Sequence, residues 1–267
     1  QNLEAIEFFK HLNTVVQGRN HGALVIAEES TAWPKVTEHP EQDGLGFTFK
    51  WNMGWMHDFL EYMKLDPYFR KYNHHRMTFG LTYFTSENYI LVLSHDEVVH
   101  LKCSMINKMP GLGRDKFSNL KAGYTFMMGH PGKKLLFMGH HRELQNYVKD
   151  LLHLYKKYPS LYRQDNDWNG FQWINANDGD RSIFSFIRRD ETGKKNLMFI
   201  INFTPVERPD YRVGVPKRGR YTLLLDSHGA YKAAEAPCFS SSKSECDGQP
   251  YSFSYPLPAY GTAIFRF

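Results

Sequence analysis

Two short apolar runs in this 267-residue chain end in the same way. Leu24-Val25-Ile26-Ala27 stops at Glu28-Glu29-Ser30-Thr31, and Tyr89-Ile90-Leu91-Val92-Leu93 stops at Ser94-His95-Asp96-Glu97. A strand with one wet face alternates polar and apolar residues, so a run of four or five aliphatic residues reads as a strand buried on both faces. Such strands belong to parallel α/β sheets, and in barrels built from them chemistry sits where the strands end. Both runs therefore place carboxylates where a site would form.

The pattern along the chain changes once. Up to about Tyr162, strand-like runs alternate with helical ones: helices over Leu3–Val16, Trp55–Leu65, Thr78–Ser86, Lys116–Met128 and Arg142–Tyr158, strands over Ala23–Ala27, Gly46–Lys50, Tyr89–Leu93 and Lys134–Met138. That alternation implies a parallel sheet with crossover helices. After Trp168 short strands take over, at Gly170–Ile174, Ser182–Arg188, Leu197–Asn202, Arg220–Leu225 and Ala259–Phe267, separated by Asn-Asp-Gly and Thr-Gly-Lys turns. They describe an antiparallel β domain. Four parallel strands are too few to close a barrel of eight. The expected fold is thus α/β plus all-β: residues 1–162 as the second half of a (β/α)8 TIM barrel, and residues 163–267 as a C-terminal antiparallel β-sandwich domain. The chain, which begins at Gln1 without an initiator methionine, reads as a piece of a longer polypeptide. The Ser-, Ala- and Lys-rich stretch Lys232–Gly248 reads as a mobile loop.

Composition narrows the function. With 42% apolar and 15% aromatic residues the chain can bury a sizeable core. No stretch approaches the roughly 20 apolar residues that cross a bilayer, and no signal-peptide pattern opens the chain. Cys103, Cys238 and Cys246 show no Cys-x-x-Cys spacing or paired framework, as suits a reducing, cytoplasmic compartment and argues against a zinc site. The net charge of +5 comes from scattered Lys and Arg, not from the concentrated basic stripe of a nucleic-acid footprint.

Glu28 and Asp96, at the ends of two strands, would face a shared cleft, which suits acid–base work on a glycosidic bond. The competing reading is structural: Glu28 caps a helix, and Asp96 pairs with His95 or His100. His95 and His100 stand five apart, not at the i, i+4 spacing of the helical zinc motif, so no metal is expected.

Longer motifs carry a resemblance. Ala27-Glu28-Glu29-Ser30-Thr31-Ala32-Trp33-Pro34, Gly44-Leu45-Gly46-Phe47 with Lys50-Trp51-Asn52-Met53-Gly54-Trp55-Met56-His57-Asp58, Leu93-Ser94-His95-Asp96-Glu97-Val98-Val99-His100 and Pro131-Gly132-Lys133-Lys134-Leu135-Leu136-Phe137-Met138-Gly139 resemble the bacterial 1,4-α-glucan (glycogen) branching enzymes. Asn202-Phe203-Thr204-Pro205-Val206 is similar to that family's C-terminal domain signature. The resemblance runs from Asn2 to Phe267, and the family is one of the α-amylase-type retaining glycosidases and transglycosidases.

The resemblance implies roles. Glu28 matches the general acid/base, Asp96 the transition-state-stabilising aspartate and His95 a contact to sugar hydroxyls. Glu29 is then the catalyst's neighbour, placed with His95 and Trp33 among the substrate-binding residues. Retaining chemistry on an α-1,4-glucan needs a carboxylate nucleophile, and a glucan 6-hydroxyl as acceptor gives an α-1,6 branch. No cofactor, metal, nucleic acid or membrane partner is implied, and a monomer is expected. The sequence departs from the family in lacking the Gly-Phe-Arg-x-Asp nucleophile motif. His100-Leu101-Lys102 replaces His-Gly-Lys, Pro110-Gly111-Leu112-Gly113 replaces Pro-Gly-Asp-aromatic, and His140-His141-Arg142 follows Gly139 where the family has a long loop. An α-glucan hydrolase and a catalytically inactive glucan-binding protein are the alternatives. Trp33, five residues after Glu28, reads as a cleft residue, whereas Trp55, beside Met56 and Phe59, reads as core. Tyr72-Asn73-His74-His75-Arg76 reads as a solvated helix entry, and the Asn202-Phe203-Thr204 sequon as unglycosylated.

Overall fold

A computed structural model of the chain describes residues 1–99, 101–137, 142–229 and 236–267. Strands β1 (Ile26–Ala27), β2 (Phe49–Asn52), β3 (Tyr89–Leu93) and β4 (Lys133–Leu136) form a parallel sheet in which neighbours in sequence are neighbours in space. Helix α1 (Leu3–Arg19) precedes β1, and α2 (Met53–Lys64) follows β2. The short helices α3 (Pro67–Arg70) and α4 (His75–Phe79) lead to β3, α5 (Met105–Lys108) and α6 (Arg114–Gly129) to β4, and α7 (Arg142–Lys157) closes the series. β3 has the expected bounds and is buried along Ile90–Leu93, the reason it carries no polar residue. The helix expected over Thr78–Ser86 does not form as one element. α4 passes into a 3-10 turn at Gly80–Thr82, and the Ser86 hydroxyl then donates to the Tyr83 carbonyl at 2.8 Å, a local bond that competes with helix.

The β domain holds a six-stranded antiparallel sheet in the order β10 (Cys238–Ser240), β9 (Arg220–Asp226), β12 (Thr262–Arg266), β7 (Leu197–Asn202), β6 (Ile183–Arg188), β5 (Phe171–Asn175). A two-stranded ribbon of β8 (Arg208–Val215) and β11 (Tyr251–Leu257) lies over one face. The sandwich is therefore lopsided, and the expected loop over Lys232–Gly248 contains strand β10; residues 232–235 lie outside those described. β6 and β7 are buried at every position because both faces of their sheet are covered. Ile183, Ile187, Met198 and Ile200 meet the ribbon, while Phe184, Phe186, Phe199 and Ile201 join the core of the helical layer. Each Phe buried there contributes about 1.5–3 kcal/mol. Trp55, 3% exposed, stacks on Phe59 at 4.8 Å within that core. His74 is no solvated entry residue: it stacks on Phe184 at 4.0 Å, and burial lowers its pKa. Asn202 is fully buried, with its amide donating to the Val206 and Pro258 carbonyls, so the folded chain offers no glycosylation site there.

Two fully buried arginines fasten helices to this sheet. Arg70 on α3 donates to Asn119 Oδ1 of α6 at 2.9 Å, to the Phe203 carbonyl at 2.8 Å and to the Met63 carbonyl at 2.9 Å. Arg188 on β6 donates to the Gly129 carbonyl at the end of α6 at 3.0 Å, to the Gly170 carbonyl at 3.1 Å and to Asp165 at 2.8 Å. Burial alone would raise the Asp165 carboxyl, but Arg188, Lys134 and Lys133 together outweigh it and hold the group at about 2. Burial pushes His130, next in sequence after α6, down to about 3, against the hydrogen bond its Nδ1 makes with the Pro131 carbonyl.

Removing one partner from a buried ion pair leaves the other charge poorly compensated. Arg188→Met is expected to cost about 3–5 kcal/mol in urea unfolding; a loss of about 1 kcal/mol or less, that of an exposed pair, would contradict the assignment. The acid limb follows by linkage. His130 and Asp165 both titrate lower folded than unfolded, so the unfolded state binds more protons and stability rises with pH. The His130 contribution is complete above its unfolded value of 6.5 and is lost as pH falls towards about 3. The Asp165 contribution is lost lower still, from 3.8 down to about 2. A urea midpoint flat across the His130 window would contradict the buried, neutral imidazole.

Candidate active site

The parallel sheet puts the two carboxylate clusters at one end. Ala27 pairs with Lys50, and Lys50 with Tyr89, so β1, β2 and β3 run side by side with their carboxyl ends pointing the same way. β1 and β3 are two strand spacings apart, roughly 10 Å. β3 continues four residues past the level of Ala27, so His95 and Asp96 stand further out than Glu28. Glu28, immediately after β1, is exposed.

Its neighbour Glu29 is not free. The Glu29 carboxylate pairs with Lys50 Nζ at 2.8 Å and accepts the Thr31 N–H at 2.8 Å. Burial would raise its pKa, but the Lys50 and Thr31 bonds together hold it below the usual carboxylate range. Lys50, only 4% exposed, also donates to the Thr31 carbonyl at 2.9 Å and reaches the Trp33 carbonyl at 3.4 Å. A strand lysine thus ties down the turn that follows Glu28. The far side of the turn is pinned by Glu87, 6% exposed, whose carboxylate accepts the Val36 N–H at 2.8 Å and the Thr37 N–H at 2.7 Å. Between the pins lies a cleft of about 570 Å³, lined by Glu29, Trp33, Trp51, Asn52, Tyr83 and Tyr89 among others. Its aromatic faces suit the apolar faces of sugar rings.

After β3 the chain makes a 3-10 turn, His95–Glu97, started by Ser94, whose hydroxyl accepts the Asp96 N–H at 3.2 Å. His95 Nε2 lies 3.3 Å from Asp96 Oδ1, both side chains about half exposed. The His95 ring also lies 5.9 Å from that of Phe137, just beyond β4. The pairing of Asp96 with His95 exists, but at the surface, where neither group is committed to holding the fold. His100, the other candidate partner for Asp96, and residues 138–141, where the sequence departs from the family pattern, lie outside the described residues.

The structure therefore brings Glu29 and Trp33 into one cleft and His95 and Asp96 into one pair, with Glu28 at the same end of the sheet but outside the lining of that cleft. The pattern reading passed over Lys50 and Glu87, which position the turn. The available signal was a lysine inside the apolar run Phe49-Lys50-Trp51 and a carboxylate just before β3. Among the described residues no group of three or more His, Cys, Asp or Glu is placed to hold a metal, and no helix is long and apolar enough to cross a membrane.

Residues 173–267 match the family model for the α-amylase C-terminal all-β domain. The whole chain is 54% identical, over 294 aligned positions, to the 1,4-α-glucan branching enzyme GlgB of Butyrivibrio fibrisolvens, covering 100% of this chain and 46% of that protein. It is 45% identical to GlgB of Gloeobacter violaceus, covering 100% of this chain and 40% of that one. The chain spans less than half the length of these curated relatives. Because 294 positions align with 267 residues, at least 27 positions of the Butyrivibrio protein have no counterpart here. Among solved structures, an Anoxybacillus α-amylase superposes with a TM-score of 0.66 at 16% identity, covering 98% of this chain and 56% of that one. A Nostoc punctiforme debranching enzyme gives 0.63 at 14% identity, covering 97% and 54%. These likenesses extend the α-amylase-type fold over both parts of the chain.

The two adjacent glutamates make opposite forecasts. Glu29→Gln removes the anion from the buried Lys50 and should cost about 1–3 kcal/mol of stability, whereas Glu28→Gln should leave the melting temperature unchanged. Equal destabilisation by both, read from thermal melts, would contradict the division of labour.

Proposed function

We propose, from 45–54% identity over the whole of this chain to curated 1,4-α-glucan branching enzymes, that it is the carboxyl-terminal portion of such an enzyme and supplies part of the active site that cuts an α-1,4-glucan and rejoins it as an α-1,6 branch. The observation that carries the reading is similarity over the whole of this chain in which the Glu28 and His95-Asp96 motifs fall at the same end of one parallel sheet. In this mechanism Glu28, whose side chain makes no hydrogen bond or ion pair among the described residues, protonates the leaving glycosidic oxygen and then takes the proton from the acceptor 6-hydroxyl. Asp96 and His95 hold sugar hydroxyls as the ring distorts towards its oxocarbenium-like state. Glu29 keeps the turn in place from the cleft wall, and Trp33 offers a stacking face. The carboxylate nucleophile comes from the part of the polypeptide that the relatives have and this chain lacks.

The free edges of the sheet support a half barrel. β1 and β4 each pair on one side only among the described strands. Beside β1, α1 leaves Leu3, Phe8, Phe9 and Leu12 exposed, and Leu24 and Ile26 are exposed as well. Beside β4, an apolar recess of about 470 Å³ opens between α6 and α7, lined by Met128, Leu136, Leu144, Val148 and Leu152. Preceding β/α units would cover both edges and close a (β/α)8 barrel. We place the enzyme in the cytoplasm, as a monomer in glycogen synthesis.

Residues 1–267 alone should then show no branching activity. Joined to the preceding segment of the Butyrivibrio relative, the chain should lower the iodine staining of amylose without releasing reducing ends, and Glu28→Gln in that chimaera should lose at least about a hundredfold. Release of reducing ends would indicate a hydrolase, and near-normal turnover of the Glu28→Gln chimaera would remove Glu28 from the mechanism.

A further inference from the structure

A second concave site lies apart from the glucan cleft, between α2 and the loop that leads from β3 to α5. It encloses about 350 Å³ and is lined by Met56, His57, Leu60 and Lys64 of α2, with Glu97, Lys102, Cys103 and Lys108 opposite. Glu97 follows Asp96 in sequence, but its side chain faces this recess and is 6% exposed. Its Oε2 is buried and accepts no hydrogen bond from any described residue. A buried carboxylate oxygen without a donor is costly, so a group with a hydroxyl or N–H belongs against it. Around it stand three lysines. Leu101 (φ 66°) and Cys103 (φ 57°) are both left-handed, and the backbone reversal they make carries Lys102 to the rim. Lys108 Nζ donates to the Lys102 carbonyl, which draws a second ammonium to the same side. Lys64 completes the group from α2.

We infer that this recess binds a small phosphate monoester carrying hydroxyl groups, a hexose phosphate in size and chemistry, with the phosphate held by Lys64, Lys102 and Lys108 and a hydroxyl donated to Glu97. Lysines bind phosphate as point charges and need no fixed fork. The buried Met56 and Leu60 side chains give the floor an apolar patch for the C–H face of a sugar ring. The volume is at the small end for ligand pockets, which favours a hexose phosphate over a nucleotide. An inorganic anion would leave the Glu97 oxygen unmatched and close to its own charge. None of the lysines is a proposed catalytic residue, and the inference does not depend on the branching reading.

Isothermal titration of the chain with glucose 1-phosphate, inorganic phosphate and glucose separates the contributions without any activity assay. Glucose 1-phosphate should bind at least about tenfold more tightly than inorganic phosphate, the worth of one hydrogen bond to a charged acceptor, and glucose should give no heat. Lys64→Ala with Lys102→Ala, both at exposed positions, should weaken glucose 1-phosphate at least about tenfold with an unchanged melting temperature. Glu97→Gln should erase the preference for the ester over phosphate while leaving phosphate binding in place. Equal affinity for the ester and phosphate, an unchanged affinity in the lysine variant, or no binding of the ester up to about 10 mM would each overturn the inference.

Discussion

Helix α6 lies between the two halves of this molecule, and the rest of the structure depends on how it is held. Near its start Asn119 takes the Arg70 guanidinium, which also bonds to the Phe203 carbonyl beyond β7; at its end the Gly129 carbonyl takes Arg188 from β6. Both arginines are fully buried, and each spends its donors on backbone or side-chain oxygens from more than one element. Arg70 Nε is buried without a hydrogen-bond partner among the described residues, so the bonds made by its two terminal nitrogens, with those of Arg188, fix the distance and angle between helix and sheet. Glycines permit the approach. A Cβ at Gly129 would lie 2.7 Å from the Phe186 ring, and one at Gly123 2.8 Å from Met63 of α2.

From α6 the constraint passes to the site. α2 packs on α6, and β2 and β3 pack beneath α2, so the carboxyl ends of those strands are set by a core that reaches into the β domain. What stands on that end is arranged by short polar links: Asn52 accepts the Trp55 N–H at 2.9 Å and starts α2, Lys50 draws in Glu29, Glu87 clamps Val36 and Thr37, and Ser94 starts the turn bearing His95 and Asp96. The carboxylates divide accordingly. Those that accept backbone N–H groups or a buried cation hold shape, while Glu28 and Asp96 remain accessible to a ligand.

Much of this was legible in the residues. The unbroken run at β3 announced a strand buried on both faces, and the alternation of strands and helices announced a parallel sheet whose strands follow sequence order. The position of Glu28 and Asp96 just past strand ends was legible too, because it needs only the strand bounds. Strands β8 and β11 were not. Pro209 and Pro256 interrupt their patterns, and the register slips between Tyr255 and Leu257, where a proline without an N–H sits in a bulge. His74 escaped for another reason: its stacking partner Phe184 is more than a hundred residues away, and no local pattern reports a contact of that kind. Lys50, read only as the end of a strand, gave no local signal of its role, since its burial is decided by the returning turn and not by its neighbours in sequence.

The claim at the centre of this account is that the sheet carrying the site and the β domain share one core and open as one unit. Native-state hydrogen exchange read by mass spectrometry tests it directly. Amides of α2, β3 and α6 should exchange with the same opening free energy as those of β6 and β7, and their protection should fall together as urea is added. Early loss of protection in α2, β3 and α6 while β6 and β7 stay closed would show two independent units, and would leave Arg70 and Arg188 as local contacts that do not position the site.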